Sequence, residues 1–517
     1  MNHKPTLAFA SALLLSTSAM AADLRVGVQT VPQYLDPGKD HGNSGSQIYY
    51  NAFDPLIEKD YTKAEAVFKP GLATSWKQTS PTTFEVKIRQ GVRFQNGDPM
   101  TVDDVVFTFD RFIKDMDPEL ATIHRQFFDN FIKVEALDGE TVRFTTAKPE
   151  PLFETLLNTS ESSIVPKKYM MGLTGDPNKL EPSDLAAFGL KPIGTGPYQI
   201  TQYTPKETVE YKRFDGFFGE KAPFQTIELR SIKEMAARTT ALANGEVDLI
   251  TNIPPDQIDG ISSNPALKVE GAVTPIFHVV IYNTTNGILK DKRIRQALNL
   301  AIDRNLLNDA LWQGKAVVPS THTYPQYGAL YMPELKTWEY NPEKAKQLLE
   351  EAGYKGETVR YDTEAAYYTN SVLAAQAIKE MWAAVGVPMN INITPKWTAG
   401  DADMDARNWS NPMYFADPAG SFGTMWAPHG AGTEATWSTT PAYDAMWEKF
   451  RYSTNIDDRK KAYAEMLDRV KDEAPFIPLY QPYEAYGMSK KLNWKPLPGH
   501  IPYVLDFRAG AVTLVTN

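Results

Sequence analysis

Between Trp397 and Trp426 the chain gathers Trp397, Arg407, Trp409, Asn411, Tyr414, Asp417 and Trp426, an unusually dense mix of aromatic and polar side chains. Indole and phenol rings stack on a sugar ring or a peptide plane, and a guanidinium holds a carboxylate or phosphate bidentately. Such a set can grip a small polar solute without transforming it. Pro412 and Pro418 interrupt the stretch, so its irregular composition predicts a loop. The competing account packs Trp397 and Trp426 into the core and leaves Arg407 in a surface ion pair.

Groups that would transform a substrate do not fall into working patterns. Of the seven histidines, His3, His41, His124, His278, His322, His429 and His500, none stands in a short metal-ligand spacing. Asp401-Ala402-Asp403-Met404-Asp405 begins like a calcium loop, but Ala406 takes the place of the sixth-position glycine and Pro412 that of the closing glutamate. Gly194-Thr195-Gly196 is followed by Gln199 where a dinucleotide loop needs glycine. Gly430 to Ala435 fits a relaxed version of that loop with no strand before it. There is no GxSxG elbow and no cysteine nucleophile. No catalytic residue, metal site or cofactor is expected. A secreted glycoside hydrolase working through paired carboxylates among Asp401, Asp403 and Asp405 is the rival from another class.

The elements that must position these groups can be read in order. Lys4, the apolar run Leu7 to Leu15 and Ala19-Met20-Ala21 form a secretory signal with cleavage expected after Ala21. Without a cysteine at that point the chain is expected to be released as a soluble protein with no disulfides. The remaining residues are too many for one core, so two or three domains follow. The net charge of −10, with no run of lysine or arginine, argues against nucleic acid as a partner. Leu24–Val31, Thr83–Arg89 and Tyr198–Tyr203 alternate as strands, and Asn96-Gly97 marks a hairpin-type turn. Thr101 predicts an N-cap with Asp103 and Asp104 in its first turn, and Asn341-Pro342 opens a helix ending near Gly353. Residues 293–304 read as one amphipathic helix with its basic residues outward. Alternating helices and short strands give an α/β or α+β class with mixed sheets.

Several strings carry a resemblance. PGLATSW at 70–76, GVRFQNG at 91–97, TVDDVVFTFDR at 101–111 and GTGPY at 194–198 stand in the order found in the family 5 extracellular solute-binding proteins. So do ALANGEVDLI at 241–250, DKRIRQALNLAIDR at 291–304, NPEKAKQLL at 341–349 and EAPFIPLY at 473–480. This chain resembles that family, the peptide, opine and nickel receptors of ABC importers, over its whole mature length. The resemblance implies a two-lobed periplasmic-binding-protein fold, type II in its large three-domain variant, with a ligand cleft between lobes. It implies lobe I at 22–54, 193–279 and 487–517, an extra domain at 55–192 and lobe II at 280–486. It further implies a periplasmic monomer that captures a small-molecule ligand by hinge closure and passes it to a membrane permease.

Other cleft positions come from the same resemblance: Tyr34 in lobe I, Tyr282 and Asn283 at the crossing between lobes, and Tyr367 and Tyr368 after a lobe II strand. Peptide-binding members carry an acidic residue four positions before the proline of the 397–426 segment, where it pairs with the peptide's amino group. Counting back from Pro418 gives Tyr414, or Pro412 if Trp409 is aligned across an insertion. An uncompensated buried ammonium costs several kcal/mol. The expected ligand is therefore a non-peptide or modified amino-acid compound, opine-like or sugar-containing. A di- or oligopeptide or glutathione receptor, with Asp417 taking the amine, is the alternative. A chelated-metal receptor would have only His429 near the segment.

Overall fold

The computed structural model describes residues 23–39, 42–63, 66–114, 126–175, 179–364, 367–394, 404–500 and 503–514. The leader, Trp397, Asp401 and Asp403 lie outside the described residues.

Two large mixed sheets dominate. The first has seven strands in the order Leu267–Val273, Tyr483–Ser489, Leu249–Ile250, Leu24–Val28, Thr226–Ser231, Thr208–Arg213 and Tyr198–Thr204. Leu24–Val28 runs parallel to Thr226–Ser231 and Leu249–Ile250, and the other pairings are antiparallel. The second has five strands in the order Met389–Thr394, Val359–Glu364, Ala406–Pro412, Ile276–Tyr282 and Phe476–Tyr480. A smaller antiparallel sheet, Ala73–Ser80, Thr83–Ile88, Thr141–Thr146 and Phe131–Ala136, is covered by the helix Val102–Ile113. Sheet membership puts the passages between the two large sheets at Thr274-Pro275 and at Gln481-Pro482. Both come earlier than the expected divisions at 279/280 and 486/487.

Local signals act as read. Asp104 Oδ2 accepts from the Thr101 backbone N–H at 2.8 Å and hydroxyl at 3.0 Å, closing a capping box. Asn341 Oδ1 accepts from Lys344 N at 2.9 Å ahead of the helix Pro342–Glu351. Gly97 takes φ +91° in its turn. The segment 193–198 is pinned against the end of the helix Asn43–Ala52. Gln95 Nε2 donates to the carbonyls of Ala52, Gly196 and Tyr198 at 2.8, 3.1 and 2.8 Å. Thr195 donates to Asp54 at 2.7 Å. A methyl group at Gly196 would stand 2.5 Å from the Ala52 carbonyl carbon, so the close approach requires glycine.

Two expectations are corrected. Residues 292–312 form two helices, Lys292–Leu300 and Arg304–Trp312, the second capped by Asp303. Their arginines do not all face outward. Arg295 is buried and donates to the carbonyls of Leu289 and Glu473, and Arg304 to those of Pro319, Pro478 and Trp338. A guanidinium's fixed fork of donors can satisfy several orphan carbonyls at once, a use that amphipathic spacing does not reveal. The second correction is the segment expected as a loop. Its part Ala406–Pro412 is the central strand of the five-stranded sheet, paired with Ile276–Tyr282 along its whole length.

Candidate functional site

One cavity lies where the three sheets' connecting segments meet, with a volume of about 50 Å³. Tyr49, Tyr50 and Phe53 come from the helix Asn43–Ala52 and its end, and Lys59 and Tyr61 from the short strand Ile57–Lys59 and the turn after it. Asn158 and residues 159–163 supply a polar wall, including Glu161 in the single turn Ser160–Ser162. Tyr414 and Phe415 close it from the segment after the central strand. His500 and Val504 form the far side and are shared with a second cavity beside Tyr486, Tyr503 and the 272–275 passage.

Contacts behind Phe415 join the 127–150 region to the segments around the second large sheet. Arg451 donates to both oxygens of the buried Glu150 at 2.6 and 2.8 Å. The ring of Phe127 stands 5.2 Å from Phe415 and 5.7 Å from Tyr414.

Inside, two side chains carry charge. Lys59 is 7 % exposed and has no carboxylate or hydrogen-bond acceptor in reach among the described residues. Its Nζ lies 5.2 Å from the centroid of the Tyr61 ring. Burial pulls this ammonium down to about 8. Glu161 is buried, accepts from the Ser160 hydroxyl at 3.1 Å, and is pushed up by burial to about 6. His500 is stacked on Tyr61 at 4.0 Å and bonded to Asp506 Oδ2 at 3.0 Å; burial lowers its pKa, and Asp506 opposes the shift.

The residues singled out from sequence are dispersed. Tyr414 lines the cavity. Arg407, Trp409 and Tyr367 form a separate group, with Arg407 4.4 Å above the Trp409 ring and Trp409 6.2 Å from Tyr367. Tyr34 is 47 % exposed at the surface. Tyr282 is fully buried and bonded to Asn299 Oδ1 at 2.7 Å, while Asn283 ties Met404 and Thr285. Tyr368 stacks on His278 with centroids 3.6 Å apart. Asn411 bridges His322 and the Ser421 carbonyl. Trp426 is a core residue stacked on Phe476 at 4.1 Å.

Asp417 needs correction most. Arg459 Nη2 holds both its oxygens, and Oδ1 also accepts from Ala419 N at 2.9 Å as the cap of the turn Pro418–Gly420. With its charge compensated inside the fold, it does not offer itself to a ligand's amine. Asp405 likewise accepts from the Arg360 backbone at 2.8 Å.

Sequence reasoning missed Lys59, Glu161, Tyr61 and His500. One signal was present: Lys59 falls in phase with the buried Ile57 in its strand, where an outward lysine would sit with Glu58.

An aromatic cavity with a few polar anchors, beside large sheets that the chain crosses twice, is compatible with a receptor. Residues 67–433 match the model of the bacterial extracellular solute-binding proteins, family 5 (middle region), and the chain belongs to that family. The dipeptide-binding protein of Escherichia coli K12 is 26% identical over 477 residues, 86% of each chain. The glutathione-binding protein GsiB of the same strain is 25% identical over 510 residues, 94% of each. Among solved structures, the periplasmic binding protein DppA from Helicobacter pylori with a peptide STSA has TM-score 0.83 at 22% identity, covering 95% of this chain and 98% of that one. AgaA of A. tumefaciens R10 with agropinic acid has TM-score 0.80 at 21% identity, covering 96% and 99%.

The fold is therefore the two-lobed periplasmic-binding-protein fold, and the chain is the substrate-binding receptor of an ABC importer rather than an enzyme. Members of the family bind small ligands and deliver them to the permease, and they are periplasmic binding proteins. Among the described residues no helix is long and apolar enough to cross a membrane.

Proposed function

We propose that this receptor captures a small non-peptide or modified amino-acid solute, opine-like or sugar-containing, in the cavity that Tyr414 lines. Hinge closure at Thr274-Pro275 and Gln481-Pro482 carries the two large sheets together over the ligand, with no chemistry done on it. Leader cleavage after Ala21, a monomeric state and the absence of nucleic acid partners belong to the same reading. So does the division into lobe I, an extra domain around 55–192 and lobe II.

The observation that carries the ligand assignment is the pairing at 414–417. A phenol, not a carboxylate, faces the cavity from this segment, and the nearby Asp417 is already neutralised by Arg459. The binding of agropinic acid by the similarly folded AgaA is in keeping with such a ligand.

A peptide or glutathione ligand is the second reading. It is favoured by the names of the relatives.

A thermal-shift screen of the refolded ligand-free mature protein against opines, oligosaccharides, phosphosugars, dipeptides and glutathione decides between them. A ligand at a hundred times its Kd stabilises by about 2.7 kcal/mol. Shifts with opines or sugars alone support the first reading, and shifts with plain dipeptides overturn it.

A further inference from the structure

We propose that Lys59 is the anion anchor of the cavity, selecting a solute that bears a carboxylate. The inference rests on the reading of this cavity as the ligand site and deepens it by naming the ligand's charge.

A buried ammonium is costly, and buried charges are ordinarily paired. Several other cations of the fold are satisfied internally. Arg451 has Glu150, Arg459 has Asp417, Arg508 has Asp54, and Arg295 and Arg304 have backbone carbonyls. Lys59 departs from this rule. It is buried, it borders the cavity, and its only described partner is the face of Tyr61. A carboxylate entering the cavity would supply the missing counter-charge.

The aromatic rings beside Lys59 suit the less polar body of such a solute. A neutral oligosaccharide would leave Lys59 without a partner.

Protonation gives a second signature. With its pKa at about 8 in the empty cavity, Lys59 is charged at neutral pH and loses its proton just above it. Affinity for a carboxylate is then steady from pH 6 to 7 and falls up to about tenfold per unit above pH 8.

The test compares agropinic acid, glutathione and the dipeptide Ala-Phe, each as free acid and as carboxamide, on wild type, Lys59→Met, Lys59→Arg and Ser46→Trp. Calorimetry at pH 7 and pH 9 reads the affinities, and thermal melts verify folding. The expected result is that at least one acid binds wild type tenfold or more above its carboxamide. Lys59→Met erases that ratio, while Lys59→Arg keeps it and removes the fall at pH 9. An acid-to-amide preference that survives in folded Lys59→Met overturns the assignment, and so does a panel in which no acid binds. Ser46→Trp fills the cavity without touching Lys59 chemistry. Binding unaffected by it overturns the cavity reading itself. Binding lost in Ser46→Trp with selectivity intact in Lys59→Met overturns only the role of Lys59.

Discussion

Arg459 Nη2 lies 2.9 Å from Oδ1 and 2.8 Å from Oδ2 of Asp417, and both side chains are buried. The pair fastens the turn Pro418–Gly420 to the helix Ile456–Glu473, and so fixes the segment from which Tyr414 reaches the cavity. Replacing Asp417 with Asn strands the Arg459 charge, a loss of about 3–5 kcal/mol for a broken buried pair. Denaturant melts of Asp417→Asn should show that loss. Affinity should fall equally for ligands with and without an amine, and a loss confined to amine-bearing ligands would restore Asp417 as a ligand contact.

The Glu150–Arg451 pair spans 301 residues and joins the edge of the four-stranded sheet to the helix Pro441–Tyr452. Arg451→Leu should destabilise by a similar amount, because Glu150 then keeps a buried charge. The double variant Glu150→Leu/Arg451→Leu should recover most of the loss. A double-mutant cycle with purely additive terms would show that the pair is not coupled.

His278 sits in the strand Ile276–Tyr282 among Tyr368, Tyr480 and Trp312, and burial lowers its pKa to about 3. His322 is likewise lowered, to about 4. Below about pH 6.5 the unfolded chain takes up protons that the folded one refuses, so stability falls with falling pH until the folded values are reached. Each histidine contributes about 2 kcal/mol of loss between pH 7 and pH 5. Comparing melts at those two pH values, His278→Phe should shrink the drop by about that amount. An unchanged drop would mean that His278 is protonated in the fold.

Gly196 packs its α-carbon onto the Ala52 backbone, and Gln95 bonds the carbonyls on both sides of the junction. Gly196→Ala should therefore force the 193–198 segment off the helix end. A fall in melting temperature of several degrees, with ligand affinity reduced through displacement of Phe53, is the expected outcome. A melt within a degree of wild type would show that the junction can open at little cost.

Trp426 is fully buried and stacked on Phe476. Trp426→Ala should cost about 3–5 kcal/mol through the cavity it leaves. A ligand contact would instead lose affinity with little change in stability.

The amino-acid sequence by itself determined the features whose causes are local. The Thr101–Asp104 capping box, the Asn341-Pro342 helix start, the Asn96-Gly97 turn and the strand from Tyr198 depend on residues within a few positions of one another. The ordered motifs then placed the whole chain in its family. Only the tertiary structure decided that Ala406–Pro412 is a central strand, because its pairing strand Ile276–Tyr282 and the contacts of Asn411 with His322 and of Trp409 with Tyr367 are all distant in sequence. The same holds for the cavity, which gathers residues from 46–61, 155–163, 414–415 and 500–504. Lys59 and Asp417 are two of the 116 charged residues of the chain, and apart from the phase of Lys59 in its strand nothing nearby marks one as bare and the other as paired. Burial and pairing are properties of where the chain returns to itself, and that is set by packing between segments hundreds of residues apart.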